Sequence, residues 1–469
     1  MIWSLHQLME KLGDTSSRDR DLQRVREETD ALPADAKILA HRFTHEGARD
    51  GSLYGLGYLT KANIAVAGQP LDCCSGILEG YRSPFDATVT RRLSEAGLTC
   101  MGATNMDEFA MGGSGETSVI GAPEHPWLTG RVCGGSSSGA AAAVARGVVP
   151  FALGSDTGGS VRQPAAYCGL VGLKPTWGRV SRYGLVAHAS SLDTIGVIAT
   201  TARDAGLVLS LVEGPDGFDS TLSDWSWPAR SSETEQVLVP QFAKGAVARQ
   251  VAENLEDVVE RLQSDGAEVA RIELASLQDA LGAYVVLAAA ETASNLARYD
   301  GSIYGSRVEA GSYEDSVRAT RSRGLGTEVK LRILLGAEVL RQGHTAQAIA
   351  RSRAVVRRLQ GEFEAAVPAG AVCLMPTVPD VAFELGARVE DALAMRAADR
   401  FTVFASLLGL PAVSVPSGED ADCAPFSVQC VAHRGRDDLT LGLAQRIEEV
   451  CEIRHLQSGW SAAEPGGRS

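Results

Sequence analysis

The sequence predicts an α/β fold, a sheet covered by helices, on three observations. Helical and extended segments alternate along the chain, which is the pattern of a sheet with helices packed on it. Hydrophobic residues make up 45% of 469 positions and charged residues 22%, an ordinary globular composition with enough chain for a large core. The longest apolar stretch, 140–153, is interrupted by Arg146 and Pro150, short of the roughly 18 residues a membrane span requires.

Residues 1–50 read as helical and charged, with an amphipathic start. The opening MIWSLHQLMEKLGD lacks a basic leader region and carries Glu and Lys before any long apolar run, so it is not read as a signal peptide. Ser83-Pro84-Phe85-Asp86 opens a helix, with Asp86 as the expected N-cap, Val89 and Leu93 on one face and Gly97 as the stop. Leu98 to Met101 follows as a short strand. A helix over Thr201–Val212 and a strand over Gln236–Val239 repeat that order, and residues 214–235 between them read as a loop. Further helices are expected around 246–264, 276–299, 326–342 and 345–366, and apolar extended segments at Val372–Met375 and Ala412–Val415. Residues 457–469 (QSGWSAAEPGGRS) read as a frayed tail.

There are 44 Lys+Arg against 58 Asp+Glu, a formal net charge of −14. Such a balance argues against broad nucleic-acid binding through this chain's own surface and does not exclude a partner that does the binding. Nine cysteines, at 73, 74, 100, 133, 168, 373, 423, 430 and 451, sit mostly among apolar neighbours with no CxxC pair. They are expected to be buried thiols of a cytoplasmic protein, and no zinc-ligand spacing is present.

Residues 130–185 are dense in Gly, Ser and Ala and poor in charge. They contain two glycine-serine loops. The first, Gly134-Gly135-Ser136-Ser137-Ser138-Gly139, precedes an Ala-rich helix from near Ala140 to about Arg146. The second, Gly154-Ser155-Asp156-Thr157-Gly158-Gly159-Ser160-Val161-Arg162, follows an apolar stretch, Val148–Leu153. Glycines let backbone approach a ligand, and successive N–H groups in such a loop form an anion-binding concavity. A serine at its end would sit beside its own oxyanion hole. A phosphate loop fails because neither segment carries the Lys of GxxxxGK[ST]. Gly135–Gly139 fits G-x-S-x-G, but a nucleophile elbow follows a strand, and His125–Arg131 reads as a loop. Flexible turns without a role are the remaining plain reading.

The run from 134 to 185, GGSSSGAAAAVARGVVPFALGSDTGGSVRQPAAYCGLVGLKPTWGRVSRYGL, resembles the amidase signature. The resemblance implies an amidase-signature fold, a large mixed β-sheet with helices on both faces, and amide hydrolysis by a Ser-cisSer-Lys triad. It places the nucleophile at Ser160, the cis serine at Ser136 and the base at Lys61, in Tyr58-Leu59-Thr60-Lys61-Ala62-Asn63-Ile64. The oxyanion donors fall on the N–H groups of Thr157, Gly158, Gly159 and Ser160. The residue types suit the chemistry. A serine hydroxyl needs a base to become nucleophilic, and no histidine stands in either loop. A lysine can serve once burial disfavours its ammonium form.

Outside the loops, Ile77–Val89, Gly102–Gly112, Ser294–Gly301 and Glu328–Gly336 resemble the A subunit of glutamine-dependent aspartyl/glutamyl-tRNA amidotransferase, over about residues 53 to 450. That likeness implies glutamine as substrate, its α-carboxylate met by Arg332 and its α-ammonium by Asp399, with Tyr284 and Gln429 near the site. A guanidinium forks onto a carboxylate, and a carboxylate accepts from an ammonium. It also implies ammonia delivery to a partner subunit that meets tRNA and ATP, with no direct membrane contact and no metal or organic cofactor. The implied division is 1–52 as a helical segment packed on the core, 53–456 as the catalytic domain and 457–469 as a tail. The chain departs from the pattern at Ala62, where Asp is usual, and at Ser138 and Ala140, where Gly and Ser are usual. Those departures leave two alternatives: a stand-alone amidase for another small amide or urea-type substrate, and a non-catalytic scaffold.

Overall fold

The computed structural model describes residues 4–12, 15–222, 236–243, 245–341 and 345–453. Its strands are β1 (Leu39–His45), β2 (Gly57–Lys61), β3 (Thr99–Thr104), β4 (Phe151–Asp156), β5 (Val171–Lys174), β6 (Thr194–Ala199), β7 (Gln236–Pro240), β8 (Val269–Ile272), β9 (Ala371–Pro376), β10 (Ala412–Glu419) and β11 (Pro425–Val431). The helices are α1 (Leu5–Glu10), α2 (Thr15–Asp30), α3 (Thr88–Glu95), α4 (Ser138–Ala145), α5 (Arg162–Tyr167), α6 (Ala202–Val212), α7 (Arg249–Ser264), α8 (Ala280–Asn295), α9 (Tyr313–Gly324), α10 (Thr327–Leu340), α11 (Thr345–Ala366), α12 (Ala392–Ala397), α13 (Thr402–Leu407) and α14 (Asp437–Val450).

The strands form one mixed sheet in the order β1-β3-β2-β4-β6-β5-β10-β11-β9-β7-β8. β2 runs parallel to β3 and β4, and β7 runs parallel to β8 and β9. The other neighbours are antiparallel. Strands buried on both faces read as continuous apolar runs, because each successive side chain enters a different core. In β4, Phe151 and Leu153 join one core while Ala152 joins another. In β9, Val372 and Leu374 face one side, and Cys373 and Met375 the other. The first face is covered by α1, α3, α6, α7 and α14, through residues such as Leu93, Val208, Leu262 and Leu443. The second is covered by α2 and α4 near β3 and β4, and by α8, α11 and α13 near β9 and β7.

Several expected elements occur close to their predicted bounds. Thr201 caps α6 by accepting from the Asp204 N–H at 3.1 Å, and Gly97, at φ 99°, ends the turn after α3. The Asp204 carboxylate in turn accepts the N–H groups of Leu5 and His6 at 2.8 and 3.0 Å, which fixes α1 on the core. The expected helices at 246–264, 276–299, 326–342 and 345–366 correspond to α7, α8 with its flanking short turns, α10 and α11. None of the nine cysteines is paired, and all but Cys423 and Cys451 are buried.

Three expectations are corrected. Residues 1–50 are not helical throughout: 39–45 form β1, which pairs with β3 with two register shifts and so shows no clean alternation. Asp86 does not cap α3, which starts at Thr88. Its Oδ1 instead accepts the Ala67 N–H at 2.7 Å, and Ala87 occupies the N-cap position. Segment 275–298 is long and apolar enough to cross a bilayer, yet its helix α8 packs against α10, α11 and α13 in the protein interior. The tail 457–469 and positions 223–235 of the expected loop lie outside the described residues.

A buried ion pair joins the sheet to the second face. Arg162, at the start of α5, has no exposed side-chain surface and binds Asp156 through Nη2 at 2.8 Å and Nε at 3.0 Å. It also donates to the Thr402 carbonyl, Gln429 Oε1 and Ser406 Oγ at 2.8, 3.1 and 3.1 Å. Removing one partner of such a pair leaves an uncompensated buried charge, at a cost of about 3–5 kcal/mol. Asp156→Ala is therefore expected to lower the thermal midpoint strongly in calorimetry, and an unchanged midpoint would refute this account of the pair.

Candidate active site

The site lies beyond the carboxyl ends of parallel strands β2 and β4, where open α/β sheets place ligands. Lys61 is the last residue of β2 and is fully buried. Its Nζ lies 2.7 Å from Ser136 Oγ, 3.0 Å from Ser155 Oγ and 3.3 Å from the Ser155 carbonyl. Asn63 Nδ2 also donates to Ser155 Oγ, at 3.0 Å. A neutral amine has two N–H bonds and one lone pair. With both hydrogens directed at Ser155, the lone pair is left for the Ser136 hydroxyl. Burial drives the Lys61 pKa down to about 7, against the pull of the Asp107 and Asp156 carboxylates, and Lys61 forms no ion pair among the described residues.

Ser136 follows a cis peptide from Gly135. A Cβ at Gly135 would lie 2.0 Å from Asp107 Oδ2, so the position admits only glycine. Gln163 holds the loop from the other side: its Oε1 accepts the Gly135 N–H at 2.7 Å, and its Nε2 donates to the Gly113 carbonyl at 2.8 Å. The Ser137 N–H donates to the Ser160 carbonyl at 3.1 Å, setting the two glycine-serine loops side by side. No hydrogen bond joins the Ser136 and Ser160 hydroxyls among the described residues.

Ser160 closes the second loop and is 9% exposed, facing a cavity. The outer groups of that loop are held by the scaffold. Thr402 Oγ1 donates to the Gly158 carbonyl at 2.6 Å, and Thr157 Oγ1 donates to Asp193 Oδ1 at 2.7 Å. Asp193 also accepts the N–H groups of His188 and Ala189. By contrast, the N–H groups of Gly158, Gly159 and Ser160 have no protein acceptor among the described residues. Glycine is required at 159, where φ is +144° and a Cβ would meet Thr402 Oγ1 at 2.2 Å.

The cavity beside Ser160 has an apolar side, including Leu281 and Ala288, and a polar side of Tyr284, Arg332, Arg396 and Asp399. Arg332 Nε donates to Glu328 Oε1 at 2.7 Å, one turn back on α10. Burial pushes the Asp399 carboxyl up to about 8, with the Arg332 charge acting in the opposite sense. The Tyr284 phenol is also raised by burial. Of the residues expected at the site, Lys61 and Ser136 meet directly, and Ser160, Tyr284, Arg332 and Asp399 share the cavity. Gln429, which could lie near the site or equally serve as a core amide, takes the second place. Its Oε1 accepts from Arg162, and its Nε2 donates to the Phe401 carbonyl at 2.8 Å, so the amide is used inside the core as a support for Arg162. Ser155, Asn63, Gln163, Glu328 and Arg396 were not singled out from the sequence. The first three lie in or beside the quoted loops and the Lys61 motif, the only signal that could have marked them.

The amidase family profile matches residues 21–441, most of the chain. This chain belongs to the amidase family. It is an amide-hydrolysing enzyme with the family's α/β fold. It is 44% identical over 413 residues to the A subunit of glutamyl-tRNA(Gln) amidotransferase from Thermus thermophilus, covering 87% of each chain. It is 42% identical over 431 residues to the corresponding protein of Symbiobacterium thermophilum, covering 89% of this chain and 87% of that one. The crystal structure of the Thermotoga maritima glutamyl-tRNA(Gln) amidotransferase A subunit superposes with a TM-score of 0.80 at 35% identity, covering 95% of this chain and 94% of that one. 6-Aminohexanoate cyclic dimer hydrolase superposes with a TM-score of 0.78 at 26% identity, covering 96% and 95%.

The lowered Lys61 pKa has a direct readout. In lysine-labelled NMR spectra, the resonance absent from Lys61→Met is expected to titrate near pH 7, charged below and neutral above. An amine that stays protonated to about pH 10, as an ordinary lysine does, would refute the burial argument.

Proposed function

We propose that this amidase is the glutaminase subunit of an amidotransferase, using Ser160 as nucleophile, Ser136 as relay and Lys61 as base. The observation that carries the proposal is a fully buried amine 2.7 Å from the Ser136 hydroxyl, on a loop bonded to the one bearing Ser160. In the first half-reaction, Ser160 Oγ attacks the side-chain amide carbon of glutamine. Its proton passes to Ser136 as the Ser136 proton passes to Lys61. The oxyanion is held by the loop N–H groups, each such donor typically contributing roughly 2.7–4 kcal/mol to lowering the barrier. Collapse of the tetrahedral adduct breaks the C–N bond, and Lys61 returns the proton through Ser136 to the leaving ammonia. Water then attacks the γ-glutamyl ester by the same relay and releases glutamate.

Arg332 receives the substrate α-carboxylate and Asp399 the α-ammonium, and Tyr284 faces the substrate in the same cavity. The relatives named as tRNA amidotransferase subunits support delivery of ammonia to a partner that binds tRNA and ATP. The net charge of −14 accords with nucleic acid being met by that partner, in the cytoplasm. Residues 53–456 are read as the catalytic domain. A second reading, a stand-alone amidase for another small amide, is favoured by one observation. An Asp399 carboxyl pushed up to about 8 is largely uncharged near neutral pH and is a weak partner for an ammonium.

Ammonia release from glutamine and from simple aliphatic and aryl amides, measured with the purified chain, separates the two readings. Ser160→Ala is expected to abolish hydrolysis of every substrate while leaving the fold intact. Residual turnover within tenfold of wild type would move the nucleophile elsewhere. Arg332→Ala is expected to raise KM for glutamine by roughly tenfold or more while leaving a neutral amide little changed, and an equal effect on both would sink the glutamine assignment. The kcat/KM profile is expected to rise with pH through about 7, as Lys61 loses its proton and becomes a base. A profile flat through that region would remove Lys61 from the role.

A further inference from the structure

The polar wall of the cavity holds a second guanidinium that the proposed handling of glutamine does not use. Arg396, on α12, lines the same cavity as Ser160 and Arg332. One carboxylate serves both arginines: Glu328 Oε1 lies 2.7 Å from Arg332 Nε and 3.6 Å from Arg396 Nη2. The Glu328 contact is long for Arg396, and the other N–H groups of both guanidiniums have no protein acceptor among the described residues. A guanidinium presents five donors in a planar fork, and those not used by Glu328 are available to an acceptor in the cavity. The two side chains are 12% and 14% exposed, and none of their unpaired nitrogens is sealed from solvent among the described residues, so those N–H groups are open to a ligand in the cavity. Each cation raises the cost of the other. The Arg396 pKa is lowered by burial first and by the Arg332 charge second.

Formal charges on this wall are two guanidiniums against Glu328 and Asp399. With the Asp399 carboxyl near neutrality, the balance is cationic. An anion is the ligand chemistry that relieves both the repulsion and the missing acceptors.

We propose that Arg396 is a specificity-determining residue which, beside Arg332, binds a carboxylate of the substrate, so that the site selects amides whose acyl part ends in a free carboxylate, with or without an α-ammonium. This rests on the reading of the cavity as the amide-binding site and deepens it. It assigns the selectivity to the acid end of the substrate rather than to the amino-acid zwitterion.

The test compares three amides on wild type, Arg396→Gln and Arg396→Lys: glutamine, glutaramate (glutamine without its α-ammonium) and butyramide, which has no carboxylate. In Arg396→Gln, KM for glutaramate and glutamine is expected to rise about tenfold or more, with kcat and the constants for butyramide within about twofold of wild type. Arg396→Lys is expected to recover part of that loss, because it keeps the charge without the fork. A KM rise of equal size for butyramide would reduce Arg396 to a packing role, and unchanged KM for all three would leave it a surface partner of Glu328. Either result overturns the proposal. If wild type hydrolyses glutaramate with the expected Arg396 dependence but does not hydrolyse glutamine, the glutaminase reading fails and the role of Arg396 stands. If glutamine is hydrolysed with no dependence on Arg396, the reverse holds.

Discussion

The Asp156–Arg162 ion pair is the constraint on which the reactive loop depends. Asp156 ends β4 and Arg162 begins α5, and the segment from Thr157 to Val161 connects them. Because both ends are clamped into one buried pair, the chain between them must arch within a short span. Thr402 and Asp193 take the Gly158 carbonyl and the Thr157 hydroxyl on the scaffold side. The N–H groups of Gly158, Gly159 and Ser160 are left without a protein acceptor among the described residues. The same guanidinium reaches Thr402, Ser406 and Gln429, so the loop, α13 and β11 are positioned by one side chain. A hydrophobic pair of equal volume could fill the space but could not fix these contacts in direction, which is what a planar guanidinium supplies.

The chemistry of Lys61 is governed by how the surrounding carboxylates are occupied. Asp107, Asp156 and Asp193 all act on it electrostatically, and any of them in direct contact would hold the amine as an ammonium. Each is engaged elsewhere. Asp156 is taken by Arg162, Asp107 by Gly115 and Thr117, and Asp193 by Thr157, His188 and Ala189. Coulomb attraction falls with distance while the desolvation of a fully buried amine does not, so desolvation wins and the pKa drops. The hydroxyl and carbonyl of Ser155 then fix the amine's orientation without adding charge.

The two loops were legible from their composition, whereas Lys61, a single lysine at a strand end, was marked only by the resemblance to the amidase signature. Gly135 and Gly159 stand where any Cβ would collide, which is why the pattern is dense in glycine. The buried strands β4, β9 and β10 were readable as apolar runs for the reason that both faces of the sheet are covered. What stayed hidden depends on contacts between distant positions. Gln429 and Arg162 are 267 positions apart, and only the fold shows that the amide supports the guanidinium and does not touch the cavity. β1 escaped detection because it is an edge strand without clean alternation and with irregular register, next to a segment whose charge density reads as helix. Arg396 lies in a short helix of six residues with no periodicity to mark a face.

The cavity is built from two kinds of element, and this separates reactivity from selection. Lys61, Ser136 and Ser160 come from strand ends and the loops beside them, where backbone geometry is fixed by the sheet and by glycine. Tyr284, Arg332, Arg396 and Asp399 come from α8, α10, α12 and the turn before α13, which meet the sheet through apolar side chains and through hydrogen bonds such as Thr402 to Gly158 and Gln429 to Phe401. Under the proposed function, a change at Tyr284, Arg332 or Arg396 bears on which acyl group is held. A change in the loops alters the reaction for every substrate alike. The two arginines and Glu328 are the part of this wall to which the proposal assigns substrate preference. One carboxylate, Glu328, stands between the two guanidiniums there, and burial raises the carboxyl of Asp399 beside them.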